Sequence, residues 1–164
     1  MTGNLSSGWP FGVSVPQLPW CSRKGNLMLI DAVMVSVLVS GPAVQAAAVI
    51  PVPWRPFAEC VSRRESNHNY RARNPRSSAQ GRWQLLDQAW RVNGGVEWIV
   101  SRQLRKVGLT WKQRAGWVSK LDATPIYRWP TWAQDAAFVG VVTERPTGWR
   151  HWYLSGSKCN RLVP

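Results

Sequence analysis

The sequence predicts a mainly helical α+β domain with a minor β element in residues 49–164, preceded by an export leader in residues 1–48. From Phe57 onward, apolar residues recur at three- and four-residue spacing, which suits one face of a helix and not the alternating faces of a strand. Between Asn67 and Arg82 the chain is rich in Asn, Gly, Pro and Ser, so turns interrupt the helical pattern and leave room for a small sheet. Upstream, a basic flank, an apolar core and a small-residue exit read as a secretory signal.

The leader comes first. Residues 1–26 hold Gly, Ser and Pro without a helical period and close on Arg23 and Lys24. From Leu27 to Val39 only Asp31 and Ser36 are polar, and Gly41-Pro42 breaks the run. Residues 43–48 then carry small residues at the spacing that signal peptidase requires, which places cleavage near Ala46 or Ala48. An uncleaved membrane anchor is the rival reading, because about 20 apolar residues cross a bilayer. Asp31, Gly41 and Pro42 weigh against it, and translation from Met28 is an alternative start. Both readings keep Arg23 and Lys24 inside and send the remainder outward, to a secreted or cell-wall location. Cys21 leaves with the leader, so Cys60 and Cys159 remain. Two cysteines in an exported chain predict one disulfide, with two free thiols as the plainer alternative.

Beyond the leader, roughly 110 residues suffice for one modest core. A first helix follows Pro53 to Pro56, with Phe57, Cys60, Val61 and Arg64 on one stripe. Gln84 to Trp90 reads as a short helix. Val96, Ile99, Val100, Gln103 and Val107 trace another, with Arg105 and Lys106 in its last turn and Gly108 past its end. Thr110 can cap a helix whose apolar face is Trp111, Ala115 and Val118. Trp132, Ala136, Val139 and Val142 mark the last helix, stopped near Pro146.

Charge points to the partner. The chain carries 21 Lys+Arg against 8 Asp+Glu, for +13 and a pI near 11.1, so an anionic partner is expected. Nucleic acid, acidic lipid headgroups and anionic cell-wall polymers all fit that charge. The twelve Trp suit sugar faces, bases or a core, and most are expected to be structural. Arg63, Arg64, Arg71, Arg73, Arg76 and Arg82 crowd one segment, where they are expected to act on encounter with an anionic surface.

That segment also holds the candidate chemistry. On a helical wheel begun at Phe57, Glu65 falls at the edge of the apolar stripe, between Ala58 and Val61, and Arg63 points nearly the opposite way. A carboxyl half buried there could stay neutral and deliver a proton to the leaving oxygen of a glycosidic bond. By spacing alone a solvated Glu, or the far end of a Ser62-x-x-Glu65 capping pattern, is the stronger reading.

Behind Glu65 stand Ser66, Asn69, Ala72, Asn74, Pro75, Ser78, Gly81 and Gln84 in that order. The series resembles the catalytic segment of the lysozyme-like superfamily, in the transglycosylase-like or resuscitation-promoting-factor-like branch of actinobacteria and their phages. It covers residues 54–93 well and 130–160 loosely, where Gly148, Trp149, Trp152 and Cys159 resemble the family's Trp-rich, Cys-bearing ending; residues 94–129 do not align. The resemblance implies a small lysozyme-like domain whose catalytic helix is stapled to the C-terminus. It implies that Glu65 is the general acid, that Gln84 and Trp83 contact substrate, and that Ser66 and Asn69 line the turn beside the acid. The implied activity is cleavage of the MurNAc–GlcNAc bond of peptidoglycan, by hydrolysis or with a 1,6-anhydro product. Two features depart from the pattern or stay open. The usual Glu-Ser-Gly-Gly is here Glu65-Ser66-Asn67-His68, so the turn must form without glycine. A second carboxylate could come from Asp87, Glu97, Asp122, Asp135 or Glu144, but the family often uses one acid and lets the substrate's N-acetyl group or 6-hydroxyl act instead.

His68 and His151 are the only histidines; no metal set, cofactor motif, Ser/His/Asp triad or phosphate loop stands out. The expected partners are peptidoglycan strands and anionic wall polymers, with no nucleic acid, membrane contact only through the leader, and a monomer. A non-catalytic wall-binding or structural protein on the same fold is the alternative. A basic nucleic-acid-binding protein is a third, which the export signal opposes.

Overall fold

The computed structural model describes residues 41–86, 94–152 and 158–164. The first forty residues, with the apolar run and Cys21, lie outside the described residues, as do Asp87, Trp90 and Asn93. The described chain is α+β and mainly helical. Its helices are α1 (residues 41–47), α2 (Arg55–Ser66), α3 (Val96–Lys106), α4 (Trp111–Asp122) and α5 (Thr131–Glu144). Short 3-10 turns span Val52–Trp54, Ile126–Arg128, Gly148–Trp152 and Asn160–Leu162. The sheet is a two-stranded antiparallel pair, β1 (Ala79–Gln80) and β2 (Leu85–Leu86), with Ala79 opposite Leu86 and Gln80 opposite Leu85.

α5 is the hub because it is mostly apolar: ten of its fourteen residues are buried, which suits a helix with neighbours on most sides. α3 packs along it, and α4 packs on α3, with the ring of Trp117 edge to face on Trp132 of α5 at 4.9 Å. The α3–α5 crossing is close because Gly140 has no side chain; a Cβ there would collide with Ile99 Cγ2. On α5's other flank an aromatic cluster joins α2, the hairpin and the C-terminal turns. The rings of Trp83 and Phe138 stack at 4.0 Å, Phe57 and Trp152 meet edge to face at 6.1 Å, and Trp152 Nε1 donates to Trp83 O at 2.7 Å. The expected disulfide is present, joining Cys60 of α2 to Cys159 with Cα atoms 5.7 Å apart.

Three expectations change. Gln84 to Trp90 does not begin as a helix: Leu85–Leu86 is β2, and Gln84 has left-handed backbone with φ 48°. The cause is a tight turn, in which Gly81 takes φ 75° and Gln84 N donates back to Gly81 O at 3.2 Å. α4 does start at Thr110, which forms a reciprocal capping box with Gln113. Its expected apolar face is only partly covered: Ala115 and Val118 are half-buried, and Trp111 is 57% exposed, stacked on Trp98. Finally, the core reaches upstream of residue 49, because Val44 and Ala47 of α1 are each only 4% exposed. Among the described residues no helix is long and apolar enough to cross a membrane.

Candidate active site

Glu65 sits in the last turn of α2, and the way that helix ends fixes its surroundings. Asn67 and His68 both take left-handed backbone, φ 52° and 64°, where glycine would be the easier choice. Two returning hydrogen bonds close the helix, Asn67 N to Arg63 O and His68 N to Ser62 O, each 3.1 Å. Among non-glycine residues, Asn and His are two of those that most often take this conformation. His68 is held there by its ring, with Nδ1 at 2.8 Å from Ser62 Oγ and Nε2 at 3.4 Å from Glu59 Oε1. The turn therefore forms without glycine, and the His68 ring ties its second residue back to α2. Glu65 itself is half-buried, and its Oε1 is shielded from solvent.

Ser66 and Asn69 have structural duties. Ser66 Oγ bridges Ser62 O and Arg82 O, at 3.2 and 2.7 Å, and so pins the end of α2 to the hairpin. Asn69 Oδ1 accepts from Arg71 N at 2.8 Å, starting the polar loop with an Asx turn, and Asn74 repeats the device on Arg76 N at 2.9 Å. The loop then closes on the sheet through Gly81 N to Ala72 O at 2.8 Å.

Arg82 is folded inward. Its Nε donates to Ser62 Oγ at 2.7 Å and its Nη1 to the Tyr70 hydroxyl at 2.6 Å. Tyr70 in turn donates to Asp135 Oδ2 at 2.8 Å, and Trp83 Nε1 donates to Asp135 Oδ1 at 2.9 Å. Arg82 Nη1 lies 3.8 Å from the same carboxylate. Burial holds the Asp135 carboxyl above its ordinary range, opposed by the bonds from Tyr70 and Trp83 and by the Arg82 charge. Burial and the bond to Asp135 raise the Tyr70 hydroxyl likewise. Beside them Gln134, wholly buried, accepts from Arg82 N at 2.9 Å and donates toward the carbonyls of Tyr70, Ile126 and Trp129, at 3.1, 3.0 and 3.3 Å. Gly81 is required here, since a Cβ would strike the Gln134 side chain.

The residues singled out from sequence fall into this frame. Trp83 is fully buried, stacked on Phe138 and bonded to Asp135, in the core. Gln84 is 7% exposed, and its Nε2 donates to Gly81 O at 3.0 Å, so its amide serves the turn. The half-buried His151 ring bonds the Gln84 backbone, and desolvation holds that imidazole below its ordinary range. Ser66 and Asn69, expected from the resemblance to serve the turn and the substrate, each hold backbone here, Ser66 that of Arg82 and Asn69 that of Arg71.

The candidate second carboxylates scatter. Asp135 belongs to the network above. Glu144 is engaged by Arg102, Gln103 and Lys106, at 2.6, 2.6 and 3.2 Å. Glu97 and Asp122 line one cavity of about 330 Å³ with Gln80, Thr124, Ile126 and Trp129, and Glu65 is not among its lining residues. The line Glu59–His68–Ser62 has the composition of a hydrolytic triad, which the sequence alone did not show. Ser62 is wholly buried and already accepts from Arg82, so it is a peg and not a nucleophile. Among the described residues no group of three or more His, Cys, Asp or Glu could hold a metal ion. No protein-family model, curated protein or solved structure matches this chain.

Sequence reasoning passed over Tyr70 and Gln134. The signal for the latter was present: Gln134-Asp135 is a polar pair early in a helix that is otherwise apolar, and buried polar residues need partners.

Proposed function

We propose that this is an exported, lysozyme-like enzyme that cleaves the MurNAc–GlcNAc bond of peptidoglycan with Glu65 as its single general acid. The observation that carries the reading is the setting of Glu65: the last turn of α2, one carboxyl oxygen out of solvent, directly before a polar loop and a two-stranded hairpin. A carboxylic acid that must keep its proton until a sugar oxygen arrives needs such shielding. In the proposed step the neutral Glu65 gives its proton to the leaving glycosidic oxygen as the C1–O bond breaks. The substrate's N-acetyl oxygen or 6-hydroxyl attacks C1, and the carboxylate left behind takes a proton from the incoming water or from the 6-hydroxyl. The disulfide is compatible with an oxidising, extracytoplasmic setting.

The test is Glu65→Gln on purified peptidoglycan, with mass analysis of the fragments. The variant should release no muropeptides and keep its melting temperature. Products lighter by one water would mark the 1,6-anhydro route. Cutting by the variant would end the mechanism, and loss of folding together with activity would make Glu65 structural.

A further inference from the structure

Six arginines crowd the segment around Glu65 in the sequence, but the structure sorts them. Arg82 is folded inward onto Ser62 and Tyr70, and Arg63 is paired with Glu59 at 3.0 Å. Arg71 and Arg73 go elsewhere and meet a third arginine, distant in sequence. Arg71 Nη1 donates to Tyr127 O at 3.3 Å. The guanidinium carbons of Arg73 and Arg128 lie 4.8 and 5.5 Å from the centre of the Tyr127 ring. All three arginines are exposed, and no carboxylate pairs with any of them among the described residues.

We propose that Arg71, Arg73 and Arg128, gathered on Tyr127, form a binding site for the stem-peptide carboxylates of peptidoglycan. Three like charges on one tyrosine repel each other, and an anion bridging them removes that cost. A guanidinium held over an aromatic ring by cation–π attraction spends no N–H donor on it, so its donors can grip a carboxylate or phosphate in bidentate fashion. The site is built and not accidental. Arg73 bridges to Gln80 of β1, Gln80 Oε1 faces Tyr127 N at 3.5 Å, and Gln134 ties the carbonyls of Tyr70 and Ile126 to the same point of α5.

The choice of anion rests on the cleavage reading above. Arg71 is six residues beyond Glu65, so the two α-carbons are at most about 20 Å apart. A polymer cut at Glu65 would thus hold its own peptide carboxylates within reach. Single-stranded nucleic acid fits less well, because its bases need an open aromatic face and two guanidiniums already occupy the Tyr127 ring. A membrane surface fits less well too, since no apolar side chain takes part in the cluster.

The experiment is co-sedimentation of the full exported chain, in a Glu65→Gln background, with peptidoglycan stripped of accessory phosphate polymers. Adding Arg71→Gln, Arg73→Gln and Arg128→Gln should weaken binding about tenfold, the sum of three modest exposed contacts. The loss should vanish on glycan strands freed of their peptides by an amidase. Arg128→Gln alone, at an exposed position outside the polar loop, should give a smaller loss in the same direction if the triple variant folds poorly. Unchanged affinity for peptide-bearing wall would overturn the proposal. So would an arginine-dependent affinity found only for phosphate polymers or for single-stranded DNA. The two readings fail separately: arginine-dependent wall binding by a chain that never cuts leaves this site standing and removes the enzyme, and cutting without that dependence does the reverse.

Discussion

Replacing Gln134 by Leu should be the most damaging single substitution in the polar network, although Gln134 touches neither Glu65 nor solvent. The side chains are similar in size, so little of the loss comes from a cavity. What disappears is a clasp. One oxygen accepts from Arg82 N, and one amide nitrogen serves three carbonyls, those of Tyr70, Ile126 and Trp129. Two amide hydrogens make at most two good bonds, so about three bonds are lost in all. At about 1 kcal/mol each, and more where a buried partner is left unsatisfied, the cost is about 3–4 kcal/mol. For a domain near 100 residues that is a fall in melting temperature of at least 12 °C, at roughly 4 °C per kcal/mol. Urea unfolding followed by circular dichroism should show a lower midpoint at unchanged slope. Amide exchange at Arg82 should quicken as well. A loss below about 1 kcal/mol would mean that those carbonyls find water or relax, and that the loop and α5 are held by packing alone.

The disulfide closes a separation of 99 residues, worth about 4 kcal/mol in the chain-entropy model, so reduction should lower the melting temperature by about 10 °C or more. An unchanged midpoint with both thiols free in peptide mapping would refute this. Asn67→Ala should cost about 1 kcal/mol because alanine resists the left-handed backbone, whereas Asn67→Gly should cost nothing; equal losses would assign the effect to the Asn side chain. Two groups pull stability in opposite directions with pH. The Asp135 carboxyl is raised by burial, so its contribution is full below its ordinary value of 3.8 and is lost as pH rises through the folded value. His151 is depressed by burial, so its contribution is present above 6.5 and is lost as pH falls through its folded value. Urea midpoints across that range should show each slope vanish in Asp135→Asn and His151→Gln respectively, and a slope that persists belongs to another group.

The fold was legible wherever a local rule was strong. The apolar spacing of Val96 to Val107, the Thr110 cap and the Pro146 stop placed α3, the start of α4 and the end of α5 within a residue or two. The second hairpin strand was not, because Leu85-Leu86 reads equally well as the start of a helix. Only the left-handed turn from Gly81 to Gln84, set by the long-range contact with Gln134, decides it. The candidate site was half legible. Glu65 could be placed at an apolar edge from the helical wheel alone, and its Oε1 is shielded. Trp83 could not be told from a sugar platform, because exposure depends on Phe138 and Asp135, more than fifty residues away. The arginines were legible as charge and not as geometry: local sequence groups Arg82 with Arg71 and Arg73, while the network sends Arg82 inward and brings in Arg128.

The helix that carries Glu65 is positioned in an unusual way. α3 packs extensively on both α4 and α5, but α2 is not held mainly by helix-on-helix contact. Its ties are discrete and of different chemistry: the disulfide from Cys60, the ring of Phe57 against Phe138 and Trp152, and the hydroxyls of Ser62 and Ser66 on Arg82. Three of these residues, Phe57, Ser62 and Ser66, reach the same hub formed by Arg82, Trp83, Phe138 and Trp152. Each tie fixes a different coordinate. The disulfide anchors the middle of the helix to the chain end, the aromatic contact sets its depth, and the two serines set the rotation of its last turn, where Glu65 lies. If Glu65 is the proton donor proposed above, it must be held to within a fraction of an ångström of its target. Pinning the rotation of that last turn from the hairpin side meets this need even though the neighbouring helices supply little of the constraint.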